Sequence, residues 1–181
     1  MGFFLPDLET DRLVLRMLSV NDAFDMYEYA RDSEVCKYVT WNTHESVEDS
    51  MTYLSLVEKR YQLGEYFDWG VTLKETGKLI GTCGFVDINK ASSRGEIGYV
   101  LSRTHWGKGL MSEAVRRVCS HGFEFMELNR IEARVFPENT RSQGVLKKLG
   151  FQYEGTLHQQ QLIKGKYQDL MMFSMLKNEF R

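Results

Sequence analysis

The sequence predicts a mixed α/β fold in one domain over residues 1–181. Strand-like segments, in which apolar and polar residues alternate, interchange with helix-like segments, in which apolar residues recur every three or four positions. A length of 181 residues suits one domain, and 43% hydrophobic with 13% aromatic residues suffices for a sizeable core. Only two prolines occur, and no repeat or low-complexity segment suggests a linker. These observations favour a globular domain over a disordered chain.

The N-terminal third is predicted to contain one strand and two helices. Residues Arg12–Ser19 alternate in polarity and are predicted to form the strand, and Asn21 is expected to cap a helix over Asp22–Arg31. The second helix is predicted to end at Gly64, and its apolar residues have helical spacing: Val47, Met51, Leu54 and Val57.

The middle of the chain is predicted to contain three strands and one long helix. The strands cover Tyr66–Leu73, Leu79–Ile88 and Glu96–Leu101, and the turn-like sequence KETGK joins the first two as a hairpin. Residues Gly109–Met126 are then expected to form an amphipathic helix that covers the sheet. Its apolar positions fall on one side: Leu110, Met111, Ala114, Val115, Val118, Cys119, Gly122 and Phe123.

The last third is predicted to contain a strand, a helix and a two-stranded hairpin. The strand covers Arg130–Phe136, and a short helix over Thr140–Leu149 ends at Gly150. Two final strands with a turn at Gly165 complete the predicted order: Gln152–Ile163 and Tyr167–Leu176.

Charge and hydropathy exclude several classes of protein. The 23 basic and 25 acidic side chains give a net charge of −2 with no block of one sign, so neither a nucleic-acid partner nor a membrane partner is expected. The first 13 residues lack the basic start and long apolar segment of a signal peptide. No apolar stretch approaches the ~18 residues of a membrane span.

Cysteine and histidine usage predicts neither a disulfide nor a metal site. Cys36, Cys83 and Cys119 are odd in number and have no short paired spacing, so they are expected to be buried, reduced thiols. This favours a cytoplasmic protein. The four histidines show no metal-ligand spacing: His44, His105, His121 and His158.

The sequence THWGKGLMSEAV places Gly107 and Gly109 around Lys108, at the expected junction of a strand and a helix. Unpaired N–H groups and the positive end of the helix dipole favour phosphate there, although a plain tight turn also fits. The Walker pattern needs Ser or Thr after a Gly-Lys pair, and the dinucleotide pattern needs glycine where Ser112 stands. A nucleotide kinase or a dehydrogenase is therefore disfavoured.

Four segments resemble the acetyl-CoA-dependent GNAT N-acetyltransferases, most closely the RimJ/RimL branch, which acetylates protein N-terminal amines. They are LETDRLVLR, GKLIGTCGF, EIGYVLSRTHWGKGLMSEAV and NRIEARVFPENTRSQGVLKKLGFQYEG, and the resemblance covers about Leu8 to Leu176. It implies a twisted mixed sheet of six to seven strands flanked by about four helices. The fourth and fifth strands would splay apart to admit acetyl-CoA, whose pyrophosphate would lie on the turn after the fourth strand.

The resemblance also implies a set of cofactor residues. The pyrophosphate would accept hydrogen bonds from the backbone of five residues: Gly107, Lys108, Gly109, Leu110 and Met111. Leu101 and Arg103 would bind pantetheine through their backbones. Asn139 would bind the pantetheine arm, cap its helix, or do both, and Lys148 would either pair with a cofactor phosphate or stay solvated. Met111 replaces a small residue of the family pattern, and its side chain is expected to point into the core.

Glu96 corresponds to the general base of many family members. A strand-edge carboxylate, or one paired with the nearby Arg94, is the alternative interpretation. Three other carboxylates are expected on strands near the splay and are the fallback bases: Asp68, Asp87 and Glu132.

The usual acid of the family is absent, because its tyrosine position is Leu146 here. Ser142 would lie close to the thioester sulfur and could donate a hydrogen bond to the thiolate, whose pKa should resemble the ~8.5 of cysteine. A serine in the first turn of a helix can also be purely structural. Tyr167 is the second choice for the acid.

The resemblance implies transfer of acetyl to the N-terminal α-amine of a protein, such as a ribosomal protein, directly in a ternary complex and not through Cys119. A small-amine acetyltransferase acting on a polyamine or an amino sugar is an alternative, as is a non-catalytic acyl-CoA-binding regulator. An N-terminal amine has a pKa near ~7.7–8.0, against ~10.4 for lysine, so a weak base suffices.

The acceptor is expected to enter near Tyr38, Trp41 and Glu65–Gly70, where acidic residues could attract a cationic amine. The apolar segment Leu170–Leu176 is expected to lie either in the core or in the interface of a homodimer.

Overall fold

The computed structural model describes residues 5–65 and 67–181, and the eight strands of these residues form one sheet. The spatial order is β1-β2-β3-β4-β5-β6-β8-β7, and neighbours are antiparallel except for β5 and β6. The strands are β1 (Leu8–Glu9), β2 (Leu13–Arg16), β3 (Phe67–Leu73), β4 (Leu79–Asn89), β5 (Arg94–Leu101), β6 (Arg130–Val135), β7 (Gln152–Ile163) and β8 (Lys166–Leu176). The predicted six to seven strands become eight because the two-residue β1 pairs with β2.

The described residues form five α-helices, against the four or so expected. They are α1 (Ala23–Ala30), α2 (Ser33–Cys36), α3 (Val47–Leu63), α4 (Leu110–Glu124) and α5 (Thr140–Leu149). The additional helix α2 is a single turn, too short to show helical periodicity, and the Asp32 carboxylate caps it by accepting from the N–H of Glu34 (3.0 Å).

The helix ends follow local capping signals. Gly64 and Gly150 end α3 and α5 in the left-handed conformation, with φ of 68° and 93°, which confirms both predicted stops. The predicted cap Asn21 is wrong. Ser19 and Asp22 form a reciprocal capping box around a 3₁₀ turn that precedes α1, because the Asp22 carboxylate accepts from the N–H of Ser19 (2.9 Å).

Helices cover both faces of the sheet. Consecutive residues of β3 point to opposite faces: Trp69 packs edge-on against His121 of α4, whereas Gly70 faces Leu18, whose N–H donates to the hydroxyl of Tyr61 on α3. The predicted apolar side of α4 is buried, as its sequence pattern indicated. Gly122 lets α4 approach the sheet closely, since a Cβ there would lie 2.7 Å from Phe85.

The sheet opens between β5 and β6. These strands pair in parallel over only three residue pairs, the last of which joins Glu96 to Glu132. Beyond that point β5 follows β4 as far as Leu101, and β6 follows β8 as far as Val135, so the two strands diverge. This is the splay that the family resemblance implied, and it falls between the fifth and sixth strands because β1 precedes the expected first strand.

The C-terminal hairpin of β7 and β8 closes one edge of the sheet and reaches back to the N-terminal third. Leu170, Phe173 and Met175 of β8 lie in the core. At the turn between the two strands, Lys164 Nζ donates to the carbonyl oxygen of Cys36 at the end of α2 (2.5 Å). Among the described residues, no helix is both long and apolar enough to cross a membrane.

Candidate active site

A cavity of about 490 Å³ lies at the splay, between β5, the turn that follows it and the first turns of α4 and α5. Eight of the ten predicted cofactor residues line it: Leu101, Gly107, Gly109, Leu110, Met111, Asn139, Ser142 and Lys148. Arg103 and Lys108 do not. The side chain of Arg103 pairs with Asp32 (2.7 Å), which ties the region before α2 to the end of β5.

The turn before α4 has the geometry that its glycines suggested. Gly107 and Gly109 adopt φ of 74° and 77°, in the left-handed region that disfavours side chains, and Gly109 is the N-cap of α4. The first N–H groups of α4 have no partner within the helix, and the helix dipole is positive at this end. The turn can therefore bind an anionic group such as a diphosphate.

An ion pair holds this turn from the outside. Arg12 Nη1 donates to the carbonyl oxygen of Lys108 (3.0 Å), and the guanidinium pairs with Glu113 of α4 (2.6 Å). Burial alone would raise the pKa of Glu113, but hydrogen bonds from Thr10 and Arg12 outweigh it and hold that pKa below its ordinary value. The charged Glu113 thus fixes the turn to the chain segment between β1 and β2.

The outer edge of β5 offers backbone groups to a ligand. The N–H of Ser102 donates to the carbonyl oxygen of Ile80 on β4 (2.7 Å). Since backbone direction alternates along a strand, Tyr99 and Leu101 turn their N–H and C=O groups toward the splay. The carbonyl oxygen of Leu101 accepts from Nε1 of Trp106 (2.8 Å). An amide chain such as pantetheine can hydrogen-bond along this edge.

Trp106 also places a cation that the sequence analysis did not single out. The Arg141 guanidinium lies 4.4 Å from the centre of the Trp106 ring, in a cation–π contact at the cavity wall. Met111 is buried, as expected, although it also contributes to the lining. Arg141 and Lys148 give the α5 side of the cavity two positive charges.

Ser142 and Asn139 lie together at the start of α5. Asn139 caps the helix, because its side-chain oxygen accepts from the N–H of Ser142 (3.2 Å), and its amide group can still donate to a ligand. The Ser142 hydroxyl lies 2.8 Å from the hydroxyl of Tyr99 on β5. Sequence reasoning missed Tyr99, because strand alternation places it with Ile97 and Leu101 among apolar neighbours.

Glu96 lies on the other face of β5 from Tyr99 and outside the cavity lining. Its carboxylate binds Arg134 of β6 through both oxygens (2.8 and 2.5 Å), and the hydrogen bond raises the pKa of Arg134. The alternative partner Arg94 is wrong: it contacts Glu132 (3.4 Å) and Asp87 (3.9 Å) instead. Glu96 and Arg134 therefore bridge β5 and β6 where the splay begins.

The other residues predicted as bases or acids do not line the cavity. Glu132 is buried and also binds Arg130 (2.9 Å), Asp68 is buried on β3, and Tyr167 is 66% exposed on β8. The three cysteines are free and buried, as predicted, and burial raises the pKa of Cys119 to about 12. Leu146 is completely buried, and its hydrocarbon side chain carries no proton donor.

The expected acceptor side adjoins the cavity. Tyr38 lines the cavity, and its ring centre lies 5.6 Å from that of Phe136, which follows β6. Trp41 packs against His44, with the ring centres 5.4 Å apart. The carboxylate of Asp49, one of the acidic residues near this entrance, already accepts hydrogen bonds from the N–H groups of Glu45 and Ser46 at the start of α3.

Comparisons with known proteins agree with this architecture. The Acetyltransferase (GNAT) domain profile matches residues 12–152. The chain is 42% identical over 176 residues to an uncharacterized N-acetyltransferase, p20, of Bacillus licheniformis, covering 97% of this chain and 99% of p20. It is 26% identical over 182 residues to the [Ribosomal protein uS5]-alanine N-acetyltransferase of Escherichia coli, covering 93% and 89% of the two chains.

The fold of a solved relative matches over the same length. The crystal structure of a GNAT-family acetyltransferase from Bacillus anthracis superposes with a TM-score of 0.85 and 28% identity, covering 96% of this chain and all of that one. The profile match spans well over half of the sequence, and p20 is similar from end to end. The chain therefore belongs to the GNAT acetyltransferase family and is an acetyl-CoA-dependent N-acetyltransferase.

Proposed function

We propose that this enzyme acetylates the N-terminal α-amine of a protein, with a ribosomal protein as the first candidate. The full-length similarity to the E. coli enzyme named for an alanine of ribosomal protein uS5 supports this choice of acceptor. The reaction would be direct: the amine attacks the acetyl carbon of bound acetyl-CoA in a ternary complex. Direct transfer is supported by the burial of Cys119, which raises the pKa of its thiol to about 12 and disfavours a covalent acyl-cysteine.

The observation that carries the proposal is the pairing of the carboxylates at the splay. Glu96 is held by Arg134, and Glu132 is held by Arg94 and Arg130. Each of these carboxylates is therefore already engaged by a guanidinium group, an arrangement that suits an acceptor amine needing little help from a base. An α-amine with a pKa near ~7.7–8.0 is partly neutral without help, whereas a lysine or polyamine near ~10.4 needs a strong base.

The residues at the cavity would divide the work between cofactor and chemistry. The turn at Gly107–Met111 would hold the pyrophosphate, and Asn139 with the edge of β5 would hold pantetheine. Lys148 would pair with a cofactor phosphate. Glu96 would act as a weak base through water, and Ser142 would donate a hydrogen bond to the departing sulfur. The protein would act in the cytoplasm.

Thiol release from acetyl-CoA tests this acceptor. We would compare peptides that begin with free Ala or Ser, the same peptides with a blocked N-terminus, and a polyamine. Turnover with the free peptides alone supports the proposal. Turnover with the polyamine alone would reassign the enzyme to small amines. Silence with all three, together with a rise in melting temperature on CoA binding, would indicate that the acceptor lies outside these classes.

A further inference from the structure

Tyr99 and Ser142 form a hydrogen-bonded pair in the wall of the cavity. Tyr99 lies on β5 and Ser142 in the first turn of α5, and their hydroxyl oxygens are 2.8 Å apart. The Tyr99 hydroxyl oxygen also lies 3.3 Å from the carbonyl oxygen of Ser142, which is a second and more distant acceptor for the single phenol proton. Both residues line the cavity. The pair therefore connects the strand to the helix at the place where the thioester is proposed to lie.

The first turn of α5 is also held by contacts that do not involve Tyr99. Asn139 accepts from the N–H of Ser142 (3.2 Å), and the side chain of Gln143 donates to the carbonyl oxygen of Pro137 (2.8 Å). Because these contacts fix the first turn of α5, the phenol chiefly decides where the Ser142 hydroxyl proton points. A phenol that donates to Ser142 Oγ directs that proton away from itself and toward the cavity.

Two other positions that could be considered are poorer hydrogen-bond donors to a sulfur. Leu146, at the family's tyrosine position, is hydrocarbon and completely buried. His105 contacts Thr104 (3.0 Å), and burial, followed by the charges of Lys108 and Lys78, lowers its pKa, so it is mostly neutral at pH 7. Burial raises the pKa of Tyr99 despite the opposing hydrogen bond to Ser142, so its phenol stays protonated and remains a donor.

We propose that Tyr99 is a positioning residue for acetyl transfer, whose phenol orients the Ser142 hydroxyl to donate a hydrogen bond to the departing sulfur. This inference rests on the proposed function, in which Ser142 faces the thioester. The amine nitrogen bonds to the acetyl carbon, the carbon–sulfur bond breaks, and its electron pair goes to sulfur. The amine proton passes to water or, through water, to Glu96. The thiolate takes its proton from solvent, and Tyr99 and Ser142 keep theirs.

The benefit of the second hydroxyl is cooperative. A hydrogen bond to a charged sulfur is stronger than one between neutral groups, and a donor behind Ser142 polarises its hydroxyl further. Loss of either hydroxyl should therefore weaken the same stabilisation of the thiolate. Free CoA provides a probe for this effect, because its thiol occupies the sulfur position without any acceptor amine.

The test is to titrate the thiol of CoA bound to the whole enzyme, from the pH dependence of CoA affinity. The wild-type enzyme is expected to lower the pKa of the bound thiol relative to free CoA. Tyr99→Phe should reverse this by about one pH unit, a tenfold change in proton affinity. Ser142→Ala should do the same, the double variant should add little, and Ser142→Thr should retain the wild-type value. Tyr153→Phe, which removes an exposed phenol bonded to Thr156, is the matched control.

Steady-state kinetics give a second measurement. Tyr99→Phe should lower kcat about tenfold with the KM for acetyl-CoA unchanged, the loss expected when one hydrogen bond to a charged group is removed. A wild-type thiol pKa in Tyr99→Phe would overturn the inference, even if free N-terminal peptides are acetylated. A shifted thiol pKa with no turnover on those peptides would instead overturn the proposed acceptor and leave the role of Tyr99 standing.

Discussion

Glu96 and Arg134 show how two side chains on neighbouring strands can constrain a reaction. They bind each other where β5 and β6 begin to separate, and they are 11% and 30% exposed. This ion pair joins β5 and β6 at the point where they begin to separate, and it also engages the carboxylate that is proposed as the base. A base and a purely structural bridge make different demands on Arg134, so the two roles can be separated by mutation.

Glu96→Gln and Arg134→Gln should have unequal effects on turnover if Glu96 is the base. The first should lower kcat by about 10- to 100-fold, since a general base contributes at least that much. The second leaves the carboxylate in place and should retain most of the activity. Steady-state kinetics with an N-terminal peptide measure both. Equal losses in the two variants would assign the pair a structural role alone.

Gly109→Ala should destabilise the turn before α4. A residue with a Cβ at φ of 77° costs about 1–2 kcal/mol, and this cost is conformational, since the nearest atom to such a Cβ is Arg12 Nη2 at an ordinary 3.7 Å. Gly109→Asn should cost less, because asparagine tolerates this region. Urea unfolding measures the difference, and an alanine variant as stable as the wild type would contradict the conformational argument.

At the scale of the elements, the signals that could be read from the sequence were local. The bounds of α5 follow from a capping Asn139 and a terminal Gly150, and both are confirmed. Asn21 was the wrong cap because Ser19 competes through a box that closes only with Asp22. The partner of Glu96 depends on the parallel register of β5 and β6, which joins residues far apart in sequence and leaves no local pattern.

A glycine in α4 and a glycine in α5 differ in the space around them, so alanine should have opposite effects on stability at the two positions. Gly122→Ala should destabilise the protein by about 1–3 kcal/mol, because the new Cβ would lie 2.7 Å from Phe85 and 3.2 Å from Ile131 in a packed core. Gly144→Ala, in α5 with no atom within 4 Å of its Cβ, should stabilise by about 0.5–1 kcal/mol through helix propensity. Thermal unfolding of the two variants should shift in opposite directions, and a shared direction would contradict the packing argument.

Across the whole molecule, the sheet joins an N-terminal half that carries α1 to α3 with a C-terminal hairpin that returns to α2. Three residues of the apolar segment of β8 are buried in the core: Leu170, Phe173 and Met175. The outer edge of β7 has no neighbouring strand among the described residues. The edge strand is itself anchored by charge, because Glu154 of β7 binds Arg130 of β6 (2.6 Å).

This anchor should make the molecule sensitive to acid. Hydrogen bonds from Arg130 and then Ser174 lower the pKa of Glu154 from 4.5 to about 2. A lowered folded-state pKa adds stability that is present above pH 4.5 and is lost as the pH falls toward 2. The free energy of unfolding in urea should therefore fall less between pH 5 and pH 2.5 in Glu154→Gln than in the wild type. An equal fall of the free energy of unfolding in the wild type and in Glu154→Gln would exclude this contribution.

The three residue pairs between β5 and β6 have a mechanical consequence. They are the narrow joint between a five-stranded and a three-stranded part of one sheet. A ligand that hydrogen-bonds the outward edge of β5 at Tyr99 and Leu101 would replace the hydrogen bonds that β6 no longer makes there, and would so extend the pairing of the sheet across the splay. Occupancy would then set the stiffness of the molecule. Amide hydrogen exchange should slow along β5 and β6 together when CoA binds, in segments that the ligand does not touch as well as in those that it does.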